Sequence, residues 1–258
     1  MVKKLKLAKL HPHKRDKYVK ESPNYAQDHI YLIRGVPHTE KGYKSTTTWL
    51  KQFFEEFDSD GVIDQYYDRW QNNPNSKYYG MSKEEIKQAW EDNRDDAAIK
   101  GTNMHLQFEM WANDEPIEYV QELPQFLKWI QDEQIKPWRT EMTIYSPKYR
   151  IVGNVDLIAQ DKNGDFIIVD YKRAEPKEAD FGKKCKGPMS KYSHTDATKH
   201  ALQLEIYKKI LEELYGIKIK GLYNLYIKED GEYIYKNRDI IDNIDEILAY
   251  SGQGDGPN

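Results

Sequence analysis

Residues 153–175, GNVDLIAQDKNGDFIIVDYKRAE, constrain the fold more than any other stretch of the chain. Two apolar runs flank Asn163-Gly164, a turn signal that folds them back on each other as an antiparallel hairpin. The second run is apolar on both of its faces, which a strand tolerates only when a layer covers each side of its sheet. Yet Asp156, Asp170 and Lys172 stand at strand positions where such a sheet expects greasy side chains.

The turn decides what these charges do. A two-residue turn at Asn163-Gly164 would set Asp156 opposite Tyr171. A three-residue turn, Lys162-Asn163-Gly164 with Gly164 in the left-handed position of a bulge, would set Asp156 opposite Asp170. Only in the second register do Asp156, Asp170 and Lys172 share a face. Carboxylates so placed have Cβ atoms about 5 Å apart and repel each other. A divalent cation resolves the repulsion. Oxygen ligands suit Mg²⁺ or Mn²⁺, and the main-chain carbonyl of Tyr171 can add another. Lys172, one pleat along, would orient a water or stabilise charge developing on a phosphate.

A second contribution comes from GTNMHLQFEMW, where Met104, Phe108 and Trp111 form a helical core stripe. His105 and Glu109, four residues apart, lie on one helical face at its margin. Alone, His105 would read as an interior imidazole. Beside an acidic pair it becomes a candidate ligand, with Glu109 binding a second ion or orienting the water and Lys172.

The rest of the chain supplies layers for the sheet. Ser45 to Thr48 offer N-cap oxygens to a helix through STTTWLKQFFEEF, with Trp49, Phe53 and Phe57 at helical spacing. NNPNSKYYG reads as a loop. Ser82 and Glu85 form a capping box opening a helix through IKQAWEDNRDDAAIK, and the helical pattern resumes after Gly101. FLKWIQDEQ is a short helix, and RTEMTIYS, YRIVGNVDLIAQ and DFIIVDYKR are strands. Residues 174–193, mixed in Pro, Gly and Lys, read as a mobile loop. ATKHALQLEIYKKILEELYG is a helix ended by Gly216, and further strands and a closing helix follow. The aromatic stretch QYYDRWQNNPNSKYYG reads as packing in preference to base stacking.

This order implies an α/β architecture with a central mixed sheet flanked by helices. The expected division is an N-terminal arm and helical region over 1–100, a core over 101–250, and a disordered tail over 251–258. The first forty or so residues read as an extended basic arm with one short strand at HIYLIRG.

At 258 residues with 38% hydrophobic and 32% charged, the chain has the composition of a soluble globular protein. The net charge of -4 argues against indiscriminate coating of nucleic acid. Basic residues nevertheless cluster before Lys20 and again after the hairpin, from Lys172 to Lys199. No apolar run is long enough to span a bilayer, and the N-terminus lacks the continuous apolar stretch of a secretory signal, so an intracellular protein is expected. The lone Cys185 excludes four-thiolate zinc and cysteine-held iron–sulfur sites within one chain. GYKSTT lacks the spacing of a phosphate loop.

Four of these pieces, in order across residues 101–207, resemble the PD-(D/E)XK nuclease superfamily in its RecB-like branch: GTNMHLQFE, GNVDLI, IIVDYK and QLEIY. Without cluster cysteines, the chain resembles the cluster-free lambda-type and mitochondrial genome-maintenance exonucleases more closely, as models, than the cluster-bearing members. Val155 precedes the first Asp where many members carry proline. The resemblance implies a restriction-endonuclease-like core with an N-terminal helical extension. His105, Asp156, Asp170 and the Tyr171 carbonyl would be the ligands of Mg²⁺ or Mn²⁺, Lys172 the catalytic lysine, and Glu109 an accessory acid. Gln203 and Tyr207 would brace the site or contact DNA, Arg173 would add a backbone contact, and Glu141 would match a further family acid. The implied activity is metal-dependent hydrolysis of DNA, as an exonuclease on single strands or duplex ends in repair, recombination or replication, with a helicase or recombinase partner left open. Two alternatives stand beside it: an RNA endonuclease of the cap-snatching type, and a nucleic-acid-binding module with a vestigial site.

Overall fold

The computed structural model describes residues 5–175, 182–228 and 231–250. Lys3, Lys4, Lys177 and the tail expected over 251–258 lie outside the described residues. Helix α1 (Lys6–Leu10), strand β1 (Val19–Glu21), helix α2 (Tyr25–Asp28) and strands β2 (Tyr31–Ile33) and β3 (Val36–Pro37) come first. The three strands form a small antiparallel sheet. Val19, Tyr31 and Ile33 pack on Tyr43, Tyr145 and Val152.

This segment is therefore folded onto the core instead of extended. Two arginines, one from each side of the contact, help explain why. Arg15 donates to the Tyr145 carbonyl and lies over the Tyr145 and Tyr215 rings. Arg139, from the core, donates to the His11 carbonyl and pairs with Asp16.

Strand β4 (Lys44–Ser45) leads into helix α3 (Thr46–Leu50), whose N-cap is the Ser45 hydroxyl accepting from the Thr48 amide. A 3₁₀ turn carries the chain only to Phe53, short of the expected end. Trp49 and Phe53 are buried, whereas Phe57 is exposed against Trp90. Helix α4 (Ser59–Gln71) escaped the sequence reading because its only buried residue is Ile63, too little to mark an apolar stripe. Trp70, Tyr78 and Trp90 contact one another, so this aromatic stretch packs α4 against its neighbour.

That neighbour is helix α5 (Lys83–Ala112), opened by the Ser82–Glu85 capping box. It runs unbroken through Gly101, correcting the expectation of two helices. Glycine lowers helix propensity by only about 1 kcal/mol, less than a long helix gains from its packed turns. Helix α6 (Leu123–Asp132) follows.

The main sheet holds β5 (Lys136–Ser146), β6 (Ile151–Gln160), β7 (Phe166–Lys172), β8 (Ile219–Ile227) and β9 (Tyr233–Asn237), together with β4. Helix α7 (Asp196–Ile210) makes the crossover between the parallel strands β7 and β8, and a π-helical turn extends it to Gly216 at φ 69°. Helix α8 (Ile244–Ala249) closes the fold. One face of the sheet packs on α3, α7 and α8, the other on α5 and α6. Strand β7 is covered on both sides: Ile168 enters the first core, Ile167, Val169 and Tyr171 the second. Within the stretch read as a mobile loop, Gly187–Met189 form a 3₁₀ turn, and Cys185 and Met189 are buried.

The hairpin takes the three-residue turn. Asp161 donates its amide to the Asp165 carbonyl, Gly164 donates to Asp161, and Gly164 has φ 81°. Pairs from Gln160↔Phe166 to Leu157↔Val169 set Asp156 level with Asp170 at the next step. Strand β5 lines one whole edge of β6, so β4, at Ile151 and Val152, and β7, from Leu157 onward, share the other. Residues 153–156 lie in the fork between them.

The fork is tight at Gly153. A Cβ there would meet Thr46 Oγ1 at 2.5 Å and the Tyr207 ring at 2.7 Å. Gly153→Ala is expected to destabilise the fold by about 1–3 kcal/mol through overpacking, read as a lower urea midpoint at unchanged slope.

Candidate active site

At Asp156 the alternation of β6 slips by one step. Val155 and Leu157, two residues apart, belong to opposite cores. Across the ladder, the pairs Thr140↔Leu157 and Met142↔Val155 bracket Glu141, whose φ of 42° is rare outside glycine. The irregularity brings Glu141 and Asp156 to one place. His105, projecting from α5, meets them there.

The His105 Nδ1 lies 3.4 Å from Glu141 Oε1 and 3.6 Å from Asp156 Oδ2, and its Nε2 lies 3.3 Å from the Tyr171 carbonyl. One donor atom from each of His105, Glu141 and Asp156 falls within 4.8 Å of the others. Asp156 Oδ2 also accepts the Tyr171 amide at 2.9 Å, replacing a backbone partner where β6 and β7 part.

Asp170 has different partners. Its oxygens accept from Lys172 Nζ at 2.9 and 2.8 Å, from Asn224 Nδ2 at 2.8 Å and from Gln203 Nε2 at 3.4 Å. Asn224, level with Asp170 on β8, is held in turn by Arg238 and Tyr226.

Burial pushes the Asp156 carboxyl up to about 7, with Asp170 and Glu141 adding to the push and His105 and Lys172 opposing it. Burial alone would lower His105, but the charges of Asp156 and Glu141 outweigh it and lift the imidazole to about 9. Glu109 rises to about 7 through burial and then the nearby Glu141 and Glu21. Lys172 would also be lowered by burial, yet Asp170 and Asp156 raise it above its ordinary value, so at neutral pH it is an ammonium. His200, from α7, is lowered to about 4 by burial and by Lys172.

Of the residues read from sequence, His105, Asp156 and the Tyr171 carbonyl come together, and Asp170 joins Lys172. Among the described residues, the cluster suited to an ion holds Glu141 where the sequence suggested Asp170. Glu109 lies near Glu141.

Of the two roles the resemblance implies for Tyr207, its surroundings favour bracing. At 4% exposure it has no surface for DNA; its hydroxyl instead accepts from Gln203, bracing the side chain that reaches Asp170. Arg173 pairs through Nε with Glu122 at 2.7 Å. Several lysines of the second basic cluster also have acidic partners, among them Lys183 with Glu55 and Lys191 with Asp242.

The sequence reading missed Glu21, Asn154 and Asn224. Asn154 sits inside GNVDLI, where its nearness to Asp156 was a usable signal. Glu21, in a short strand far from the motifs, gave none.

The donor set fits a divalent cation: one imidazole nitrogen and two carboxylates converge where buried negative charge calls for a counter-charge. No described helix is long and apolar enough to cross a membrane.

No curated protein matches the chain. Among solved structures, one titled "Crystal structure of SSO0001" is 15% identical, aligned over 80% of this chain and 71% of that one, with a TM-score of 0.34. The profile of the PD-(D/E)XK nuclease superfamily matches residues 49–249, a span that takes in α5, the hairpin and α7. With its mixed sheet between helical layers, the restriction-endonuclease-like arrangement, this chain belongs to the PD-(D/E)XK nuclease superfamily.

Proposed function

We propose that the protein is a Mg²⁺- or Mn²⁺-dependent deoxyribonuclease acting as an exonuclease on single strands or duplex ends. The observation that supports this most is the convergence of His105, Glu141 and Asp156 beside the Lys172–Asp170 pair. The three residues, with the Tyr171 carbonyl, would hold the ion. When bound, the ion supplies Lewis-acid charge to the scissile phosphate.

Lys172 keeps its proton at neutral pH, so its part is to orient the attacking water and offset charge on the phosphate, not to accept a proton. Asp170 aims that ammonium and adds its charge to the ion-holding group; Asn224 and Gln203 fix Asp170. Glu109, raised to about 7, is placed to exchange a proton near neutral pH as the accessory acid. Arg173, which follows Lys172 in sequence, and Gln203, which donates to Asp170, would steady the nucleic-acid backbone.

Labelled single-stranded DNA, duplex DNA and RNA, each with Mg²⁺, Mn²⁺ or chelator, test the reading. Release of nucleotides from DNA ends, abolished by chelator, is the expected result. Cleavage indifferent to chelator and to Lys172→Ala would remove the mechanism. Cleavage of RNA alone would favour the ribonuclease, and binding without cleavage in every condition the vestigial module.

The ion's affinity should rise with pH. Binding requires His105 to lose the proton it holds up to about 9, so Mn²⁺ affinity is expected to climb about tenfold per pH unit from 7 to 9. Below about 7, Asp156 must also release a proton and the slope steepens. Both folded-state values lie above the ordinary ones of 6.5 and 3.8. The stability these groups contribute to the ion-free protein is thus present at low pH, lost for Asp156 as pH passes about 7 and for His105 as it passes about 9. The rise in Tm on adding Mn²⁺ should therefore widen with pH; a flat difference would contradict the ligand assignment.

A further inference from the structure

The small N-terminal sheet reaches into the site through one side chain. Glu21, the last residue of β1, is joined to Glu141 by Asn154 of β6. The Asn154 amide nitrogen donates to Glu21 Oε1 at 3.0 Å and to Glu141 Oε2 at 2.6 Å, while its oxygen accepts from the Thr143 hydroxyl at 3.3 Å. An amide has two N–H protons, and here each finds one carboxylate. The two oxygens of Glu141 are thereby divided: Oε2 is tied to Asn154, and Oε1 faces His105.

This division matters because of the backbone beneath it. Glu141 sits at φ 42°, off the regular pleat, so the direction of its side chain is not set by strand alternation. Something must aim the carboxylate. Asn154 is the partner that holds its outer oxygen, and Asn154 in turn is held from both ends, by Thr143 and by Glu21. Without Glu21, the amide would keep one acceptor fewer and could swing with Glu141.

We infer that Glu21 is a positioning residue of the metal centre, which sets the Glu141 carboxylate through the Asn154 amide. The inference rests on the nuclease reading of the same site. It makes the segment before residue 22, which precedes the span matched to the family, a working part of the centre.

The test is titration of Mn²⁺ into the whole protein by calorimetry, without nucleic acid, for wild type, Glu21→Ala, Glu21→Gln, Asn154→Ala and the double alanine variant. Groups that orient a metal ligand typically contribute about 10- to 100-fold in affinity, and Glu21→Ala and Asn154→Ala should each lose roughly that much. Glu21→Gln retains an oxygen to accept from Asn154 and should recover most of the affinity. The double variant should be no weaker than either single one, because both act along one route.

Wild-type affinity in Glu21→Ala would overturn the inference. So would a Glu21→Gln variant as weak as Glu21→Ala, which would make Glu21 a direct ligand or a source of charge, or additive losses in the double variant. Should Glu21→Ala fail to fold, the contrast between Glu21→Gln and Asn154→Ala carries the same decision. A wild-type protein that neither binds Mn²⁺ nor cleaves strikes the nuclease reading itself; one that binds it equally with and without Glu21 strikes only this inference.

Discussion

Asp156→Asn is expected to abolish Mn²⁺ binding and to slow cleavage by at least about 10³-fold. The Asp156 carboxylate does two things at once: it accepts the Tyr171 amide and faces His105 beside Glu141. Asparagine keeps an oxygen for Tyr171 but offers an N–H group, or no charge, to the ion. The fold should survive the change, so melting in chelator separates loss of the site from loss of structure. His105 gives a second readout. Asp156 is the first of the charges that lift it, so its titration, followed by NMR, should move down from about 9. An Asp156→Asn protein that still binds the ion at wild-type strength would sink the assignment.

Lys172→Ala is expected to lower the rate by about 10²- to 10³-fold while leaving Mn²⁺ binding in place. The ion is held by other residues, whereas the ammonium acts only on water and phosphate. The change also has a structural cost. Asp170 is 3% exposed and loses its cation, and breaking a buried pair costs as much as about 3–5 kcal/mol. Asn224 and Gln203 still donate to Asp170, which should hold the loss below that bound. Lys172→Arg should rescue stability better than rate, since a planar guanidinium replaces the charge but not the geometry of the ammonium. A rate within about threefold of wild type in Lys172→Ala would remove Lys172 from the chemistry.

The hairpin was legible because Gly164 fixes a turn and the turn fixes the register, which together bring Asp156 level with Asp170. Helix α7 and the capped start of α5 were legible for a related reason: caps and apolar stripes are local. Glu141 was visible only through family resemblance, because the alternation that would reveal a strand residue's face breaks at that point. Asn224 and Glu21 enter the site through tertiary packing, from β8 and β1, and no local pattern ties either to the hairpin. For Tyr207 the sequence left bracing and DNA contact open, because spacing on a helix gives a face but not what covers that face. Here α3 and Gly153 cover it.

The one-residue slip at Asp156 has a consequence for anyone wishing to transplant this chemistry. A regular ribbon carrying residues 151–172 in this register would obey strict alternation and keep Asp156 on the face of Asp170 and Lys172, opposite Leu157 and away from the α5 layer that bears His105. The smallest portable unit thus includes β5 with its kink and the stretch of α5 bearing His105; an isolated hairpin peptide should show no chelation by calorimetry.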